Sequence, residues 1–236
     1  MSALGVFVAG TDTGIGKTWA SCALLHALRD AGLDAVGMKP VASGSEATPQ
    51  GLRNADALAL QAASAPPQPD YAALNPVALA EPVSPHLAAR AAGVEITLAP
   101  LRAAYASLGA GRDAVVVEGV GGWLAPLSDT LPASALPTGL GLPVILVVGL
   151  RLGCLNHAQL SARAILADGC ALLGWIGNAI DPTMARLDDN LDTLCRLLPA
   201  PCLGVLDYAP DGDPATQAPA LARAVAALRA RGARSR

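Results

Sequence analysis

The chain has 236 residues and a formal net charge of −3, and 53% of its residues are hydrophobic. Such a balance offers no basic surface for nucleic acid or an anionic membrane, so neither is expected as a partner. The longest apolar run, residues 142–150, is interrupted by Pro143 and Gly149 and is too short to cross a bilayer. The five cysteines form no C-x-x-C pair, and the first cation is Lys17, so no secretory signal is expected. We predict a cytoplasmic protein with reduced cysteines.

Strand and helix patterns alternate along the chain. Near-continuous apolar runs predict strands that are buried on both faces, and the periodic runs between them predict helices. In chain order the predicted elements are strand 4–9, helix 18–31, strand 35–38, helix 56–63, strand 114–117, strand 144–148, helix 155–167, strand 172–176, helix 187–197, strand 202–206 and helix 219–230. This order predicts an α/β fold: one doubly wound, mostly parallel sheet with helices on both faces and ligands at the carboxyl ends of the strands. With no obvious linker or repeat, residues 1–236 are expected to form a single domain.

One long stretch has no clear pattern. Residues 63–86 read "ASAPPQPDYAALNPVALAEPVSPH" and are rich in proline. Proline removes a backbone donor and disfavours regular structure in the residue before it. We interpret this segment either as an ordered excursion over the ligand site or as a mobile flap.

The first predicted strand leads into "GTDTGIGKT", residues 10–18, which resembles a phosphate-binding loop. Five residues separate Gly10 from Gly16, where the common pattern has four. The order of strand, glycine turn, Lys17-Thr18 and helix brings backbone N–H groups and a helix start to a phosphate, so a P-loop NTPase-like site is predicted. Lys17 would contact the β and γ phosphates of a nucleotide and the Thr18 hydroxyl would bind Mg²⁺. The rest of the loop is expected to surround the phosphates, through Thr13, Gly14, Ile15 and Gly16.

Lysine is rare in this chain. Of sixteen cations only two are lysine, Lys17 and Lys39, and both follow predicted strands. An ammonium is a compact point charge that enters a crowded phosphate site more readily than the broad guanidinium of arginine. Lys39 is therefore a candidate for stabilising charge on a transferred phosphoryl group, although compositional chance also explains two lysines.

Two acids are candidate metal ligands. Glu118 follows the predicted strand 114–117 directly, as a Walker-B carboxylate does, and Gly119 and Gly121 open the next loop to phosphate. Asp56 lies in the first turn of a predicted helix that Asn54 caps. Thr18, Asp56 and Glu118 together are the predicted Mg²⁺ ligands, but Asp56 as an acid that only complements the helix dipole is equally consistent with the sequence.

Several motifs in the same order resemble one family. They are "GTDTGIGKT", "KPVASGSE", "GLRNADALAL", "AEPVSPH", "VEGVGGWLAPLSD", "LPVILVVGLRLGCLNHA" and "PAPCLGVL", and they extend from residue 4 to about residue 208. The chain is similar to dethiobiotin synthetase, and the lengthened loop is part of that family's pattern. The resemblance implies a homodimeric, Mg²⁺-dependent ligase of biotin synthesis. Its substrates would be ATP, CO₂ and 7,8-diaminononanoate, and its products dethiobiotin, ADP and phosphate.

The resemblance also implies roles for individual residues. Lys39, Lys17 and Thr13 would be catalytic, and Ser43, with Ser84 nearby, would hold the amine and carbamate end of the substrate. The substrate carboxylate would meet backbone N–H groups at a helix start of the other subunit, formed by Gly153, Cys154, Leu155 and Asn156. Asn178 would contact the adenine, and Asp207 is a further candidate for nucleotide binding.

The chain departs from the family pattern in three places. Ala179 stands where an acidic residue often follows the Asn178 position, and "LDYAP" stands where many relatives have a Pro-Trp-like segment. Both changes affect the base-binding side. Asn190 replaces a tyrosine that some relatives place near the substrate carboxylate, so weaker affinity is expected there.

Other protein classes fit the sequence less well. A partitioning-type ATPase usually has a second, earlier lysine in this loop, and a GTPase requires Asn-Lys-x-Asp where this chain has "NAID". A glutamine-dependent synthetase would need a glutaminase domain in addition to this length of chain. His86 and His157 are far apart in sequence, which favours structural roles over a metal site.

Overall fold

The centre of the protein is a parallel sheet of six strands. A computed structural model describes residues 3–234. The sheet strands are β1 (Leu4–Gly10), β2 (Ala35–Met38), β7 (Ala114–Glu118), β8 (Val144–Leu150), β9 (Leu172–Ala179) and β10 (Cys202–Leu206), and their spatial order is β10-β9-β8-β1-β7-β2. Phe7 of β1 lies opposite Val117 on one side and Val144 on the other. The most deeply buried strands are runs of Val, Ile and Leu, as both-sided burial requires.

Helices cover both faces of this sheet. They are α1 (Lys17–Asp30), α2 (Ala55–Ala63), α3 (Tyr71–Leu74), α4 (Pro85–Ala92), α5 (Leu98–Gly109), α6 (Ala135–Leu140), α7 (Cys154–Ala167), α8 (Leu187–Leu197) and α9 (Ala222–Arg234), with a 3₁₀ helix at Pro214–Leu221. Val6 and Val8 pack towards α1, α2 and α9, whereas Phe7 and Ala9 pack towards α5 and α7. Alternate side chains of one strand thus enter two separate cores. The predicted doubly wound α/β fold is confirmed.

The proline-rich segment is an ordered excursion. It contains α3, the strand β6 (Val77–Ala78) and the start of α4, and β6 pairs in parallel with β3 (Val41–Ala42). A small hairpin of β4 (Glu46–Thr48) and β5 (Gly51–Arg53) lies between β3 and α2. These short elements depend on long-range pairing and have little sequence periodicity of their own, which explains why sequence patterns did not predict them.

Several boundaries differ from the predicted ones. The last helix was expected over 219–230, but residues 214–221 form a 3₁₀ helix and α9 begins at Ala222. Pro219 has no N–H to donate inside a helix, and the Asp213 carboxylate accepts from Ala215 N (2.9 Å) to begin the tighter turn. Strands β7 and β9 are longer than predicted, so Glu118 and Asn178 lie within strands. Of the helices in residues 3–234, none has both the length and the hydropathy needed to cross a membrane.

Candidate nucleotide and phosphoryl-transfer site

A cavity of about 420 Å³ opens at the carboxyl ends of the central strands. Its walls come from the β1–α1 loop, the ends of β2 and β7, the β3 segment and the start of α2, as expected for a parallel sheet. The lining residues are Thr13, Gly14, Gly16, Lys17, Thr18, Lys39, Ala42, Ser43, Asn54, Asp56, Glu118, Val120 and Gly121. Residues that are far apart in the sequence, and were predicted separately, thus face one space.

The loop between β1 and α1 is shaped by two glycines and by its buried neighbour. Gly14 and Gly16 have φ of 72° and 82°, a left-handed conformation that side chains rarely adopt. Gly16 is the N-cap of α1, so the helix starts with backbone N–H groups that no cap side chain occupies. Ile15 is buried between them, and its carbonyl accepts a hydrogen bond from Asn178 Nδ2 (2.9 Å). The loop has the geometry of an anion site at a helix start.

Lys17 lies buried at the base of this loop. Its ammonium donates to the Asp12 carbonyl at 2.9 Å. Burial, with the neighbouring charge of Lys39, lowers the pKa of Lys17 to about 8, although Glu118, Asp56 and Asp12 act in the other direction. The protein therefore holds a cation here at an electrostatic cost, which an anionic ligand would relieve.

Lys39 joins the two predicted metal acids. Its Nζ lies 2.5 Å from Glu118 Oε1 and 2.9 Å from Asp56 Oδ2, and it is also 3.4 Å from the Gly119 carbonyl. Burial alone would lower the pKa of Lys39, but attraction to Glu118 and Asp56 outweighs it, so the pKa is raised. Conversely, burial would raise the pKa of Asp56, but Lys39 lowers it. Lys39 remains charged beside two carboxylates.

The oxygen donors beside Lys39 suit a magnesium ion. The Thr18 hydroxyl donates to Glu118 Oε1 at 2.8 Å, and the Asp56 side chain is 46% exposed towards the cavity. Glu118 Oε2 is buried and has no hydrogen-bond partner within residues 3–234. The described chain contains no group of three His, Cys, Asp or Glu side chains placed for a metal. Magnesium in nucleotide sites needs only one or two carboxylates, because phosphates and water complete its shell. The donor set therefore fits the ion.

The predicted substrate residues are only partly brought together. Thr13 and Ser43 line the cavity, whereas Ser84 lies outside its lining as the N-cap of α4, with Oγ 3.0 Å from His86 Nδ1. The backbone of Gly44, next to Ser43, donates to the Glu81 carbonyl, so the two segments are neighbours. Ser43 and the start of α4 thus lie on adjoining chain segments.

The Gly153–Asn156 stretch begins α7 and is not part of the cavity lining in its own chain. Gly153 is the N-cap, with φ of 98°, Cys154 is buried and Asn156 is exposed. Leu152, just before it, is 94% exposed. Asn190, which departs from the family pattern, lies on α8. Its Nδ2 donates to the Arg186 carbonyl of the same helix at 2.8 Å.

The base-side candidates lie at the end of β9 and just beyond β10. Asn178 pairs in register with Leu206, and Asp207 follows Leu206. Both candidates therefore lie at the carboxyl ends of neighbouring strands. Asn178 is only 4% exposed and its amide already holds the Ile15 carbonyl. Asp207 is exposed, and its backbone N–H donates to Gln217 Oε1 at 3.1 Å.

Sequence reasoning missed a second set of residues around the site. Arg151 donates to Asp12 Oδ2 at 2.8 Å, and Asp12 Oδ1 accepts from Thr13 N at 2.7 Å, so an ion pair ties the β8–α7 loop to the β1–α1 loop. Tyr71 and Asn75 make hydrogen bonds behind Lys39. No sequence signal marked the ion pair, because its members are separated by 139 residues.

The chain resembles known proteins in sequence and in structure. Residues 4–216 match a family model described as an AAA domain. The chain is 59% identical over 215 residues to the ATP-dependent dethiobiotin synthetase BioD of Xanthomonas oryzae pv. oryzae (strain PXO99A). The matched residues make up 91% of this chain and 96% of that protein. It is 57% identical over 219 residues to the protein of the same name from Xylella fastidiosa (strain 9a5c), covering 92% of this chain and 96% of that protein.

Solved structures give the fold alone. The Pyrococcus furiosus cell division ATPase MinD superposes with a TM-score of 0.58 at 17% identity, covering 98% of this chain and 99% of that one. MinD of Aquifex aeolicus gives the same TM-score at 12% identity, covering 96% of this chain and 95% of that chain. Both share the overall α/β fold of this chain.

Proposed function

The chain belongs to the ATP-dependent dethiobiotin synthetase family, and from that premise we propose that it closes the ureido ring of dethiobiotin from 7,8-diaminononanoate, CO₂ and ATP. One amine of the substrate takes up CO₂ as a carbamate, whose oxygen then accepts the γ-phosphoryl group of ATP. The second amine attacks the carbon of this mixed anhydride, forming the second C–N bond as phosphate leaves. ADP and phosphate are the other products.

The observation that carries the proposal is the meeting of Lys17, Lys39 and Thr18 at one cavity. Lys17 and Thr18 are the first two residues of α1, whereas Lys39 directly follows β2 on another part of the chain. A reaction of this type requires little acid or base chemistry and depends mainly on alignment and neutralisation of charge. Two buried ammonium groups beside a helix start supply both.

The β1–α1 loop would bind the nucleotide phosphates. Backbone N–H groups at the start of α1 face the anion, and Lys17 contributes a positive charge that its burial makes costly to leave unpaired. Thr18, Asp56 and Glu118 would hold Mg²⁺. When bound, this ion neutralises negative charge on the phosphates and helps to orient them.

Lys39 would act on the transferred phosphoryl group and on the carbamate. Its ammonium is held charged by Glu118 and Asp56 and faces the same space as Ser43 and Thr13. Those hydroxyl groups suit the amine and carbamate end of the substrate, because they both donate and accept hydrogen bonds. Ser84, on the adjoining segment, would complete this end.

The substrate carboxylate would bind across a two-fold dimer. The backbone N–H groups of Gly153, Leu155 and Asn156, at the glycine-capped start of α7, suit an anion without a basic side chain, whereas that of Cys154 already donates to the Arg151 carbonyl at 3.0 Å. The exposed Leu152 beside them is consistent with burial against a second subunit. In a C₂ homodimer each site would then combine the amine end of one subunit with the carboxylate end of the other.

The remaining assignments concern the base, the domain and the compartment. Asn178 and Asp207 lie at the carboxyl ends of β9 and β10, where an adenine would bind, and one of the two Nδ2–H groups of Asn178 already donates to the Ile15 carbonyl. We treat residues 1–236 as a single catalytic domain. The five cysteines are free thiols in the described part of the chain, which supports a reducing, cytoplasmic setting.

The proposal is tested by incorporation of labelled bicarbonate into an acid-stable product. We expect incorporation that requires ATP, Mg²⁺ and the diamine together, with one ADP released per label fixed. Lys39→Gln is expected to lower kcat strongly while ATP still binds, because the lost interaction belongs to phosphoryl transfer. ATP hydrolysis that the diamine does not stimulate, with no stable label, would instead support a regulatory or partitioning-type ATPase.

A further inference from the structure

The chain segment that carries Lys39 and Ser43 is backed by part of the proline-rich excursion. Four backbone hydrogen bonds join residues 40–45 to residues 77–81: Val77 N to Pro40 O, Leu79 N to Ala42 O, Ser45 N to Leu79 O and Gly44 N to Glu81 O. The excursion is therefore the structural support for one wall of the site.

The backbone of Lys39 is held from both sides by the same excursion. Its N–H donates to the Leu74 carbonyl at 2.8 Å, and its carbonyl accepts from Asn75 Nδ2 at 2.7 Å. Leu74 and Asn75 are buried. The direction in which the Lys39 side chain leaves the strand is thus fixed by residues 74 and 75.

Tyr71 connects this support to the helix that carries Asp56. Its hydroxyl donates to Asn75 Oδ1 at 3.1 Å and accepts from the backbone N–H of Asn54 at 2.7 Å. Asn54 in turn caps α2, accepting from Ala57 N at 3.3 Å, and its Nδ2 donates to the Ser43 carbonyl at 3.2 Å. One buried hydroxyl therefore joins the segments that carry Lys39, Ser43 and Asp56.

The hydroxyl also fixes the orientation of the Asn75 amide. With Oδ1 receiving the Tyr71 proton, Nδ2 must face the Lys39 carbonyl. Without that donor Oδ1 loses a hydrogen bond, and the amide is held through Nδ2 by the Lys39 and Val77 carbonyls, so its position is less tightly defined. The tyrosine ring makes a separate contact, because the Arg53 guanidinium stacks over it at 4.1 Å. Hydroxyl and ring can therefore be tested independently.

We propose that Tyr71, acting through Asn75 and Asn54, is a positioning residue that sets the spacing between Lys39 and Asp56 for phosphoryl transfer. The inference rests on the proposed function in one respect, the assignment of Lys39 to the transferred group. The β1–α1 loop receives its support from Asn178 and Arg151, and the start of α1 meets this network only where Thr18 and Lys39 share Glu118 Oε1 within the described residues. Loss of the hydroxyl should consequently affect turnover more than nucleotide binding.

The test is Tyr71→Phe, which keeps the ring and the Arg53 contact. We expect kcat to fall by about 10- to 100-fold, the range that small misplacements of catalytic groups produce, while the Kd for ATP changes by less than about 2-fold. Tyr105→Phe is the matched control. It removes the same hydroxyl from a tyrosine near the amino ends of the strands, beside Gly5 and Pro143, and is expected to leave kcat unchanged.

A double-variant cycle separates positioning from a general loss of structure. In the Lys39→Gln background there is no ammonium to align, so adding Tyr71→Phe should lower kcat by less than about 2-fold further. A second full-size loss in that background would overturn the proposal, as would a folded Tyr71→Phe enzyme with parental kcat. If Lys39→Gln alone turns over normally, the role of Lys39 in the proposed function fails and this inference fails with it; if Lys39→Gln is slow and Tyr71→Phe is not, only this inference fails.

Asn75→Asp decides the case in which Tyr71→Phe does not fold. The carboxylate still accepts from Tyr71, but it cannot donate to the Lys39 carbonyl. Reduced kcat with unchanged ATP affinity is expected. Parental kcat in this variant would contradict the proposed route from Tyr71 to Lys39.

Discussion

The two lysines should affect stability in opposite directions when each is replaced by methionine. Lys17 is buried and its pKa is lowered from 10.5 to about 8, so below pH 8 the folded chain carries a charge that the unfolded chain solvates better. That difference corresponds to a cost of about 3 kcal/mol. Methionine removes the cost but also removes the hydrogen bond to the Asp12 carbonyl, which contributes about 1 kcal/mol. Lys17→Met is therefore expected to be more stable than the parent by about 2 kcal/mol at pH 7.

The pH dependence gives this prediction its sign. Between about pH 8 and 10.5 the folded chain loses the Lys17 proton while the unfolded chain retains it, so the parent becomes more stable as pH rises. By pH 9.5 the gain from Lys17→Met should have fallen to near zero. Urea denaturation without nucleotide at pH 7 and pH 9.5 measures both values, and ATP titration should show binding weakened by about 10- to 100-fold.

Lys39→Met is the matched control. The pKa of Lys39 is raised by Glu118 and Asp56, so its removal leaves a buried carboxylate without its cation and should cost about 3–5 kcal/mol. A Lys17→Met chain that is less stable than the parent at pH 7 would contradict the cost assigned to the buried ammonium. So would a stability difference that does not shrink at the higher pH.

Three further perturbations test other parts of the site. Gly16→Ala should weaken ATP binding at least about 10-fold more than Gly14→Ala. Both glycines have a positive φ, so both substitutions strain the backbone. A Cβ on Gly16 would also lie 2.1 Å from Asn178 Nδ2, whereas a Cβ on Gly14 meets no described atom within 4 Å. Equal losses in calorimetry would remove Asn178 from the support of the loop. Asp56→Asn should raise the Mg²⁺ concentration for half-maximal rate by about 10-fold, because one charged oxygen ligand is lost. The control Asp189→Asn, also in a first helical turn, should leave that concentration unchanged. Superimposable Mg²⁺ titrations of Asp56→Asn and the parent would make Asp56 only an acid at a helix start. If sites are shared between subunits, a heterodimer of Lys39→Gln and Asn156→Asp chains has one site with both substitutions and one site with neither. Mixing the two chains should then restore activity towards half the parental value per heterodimer. Exchange of subunits without recovery would mean that the substrate carboxylate binds to the same chain as the amine end.

Local sequence determined the sheet and the core of the phosphate site. Strand β1, the glycine turn and Lys17-Thr18 are adjacent in the chain, so their relative geometry follows from strand, turn and helix preferences alone. The alternation of apolar strands with helices similarly fixed the α/β class. The resemblance of ordered motifs then supplied the family, which the close relatives confirm.

Tertiary structure decided how the distant parts meet. Thr18 and Glu118 are 100 residues apart, and only the parallel packing of β1 beside β7 brings them to 2.8 Å. The same applies to the lowered pKa of Lys17, which depends on burial and on the charge of Lys39, and to the role of Tyr71 in an irregular segment. Side-chain pairing across such separations leaves no periodic signal in the sequence, because it is set by which chain segments the sheet places next to each other. The chain alone therefore predicts which residues carry the chemistry, and the fold determines their charge, orientation and support.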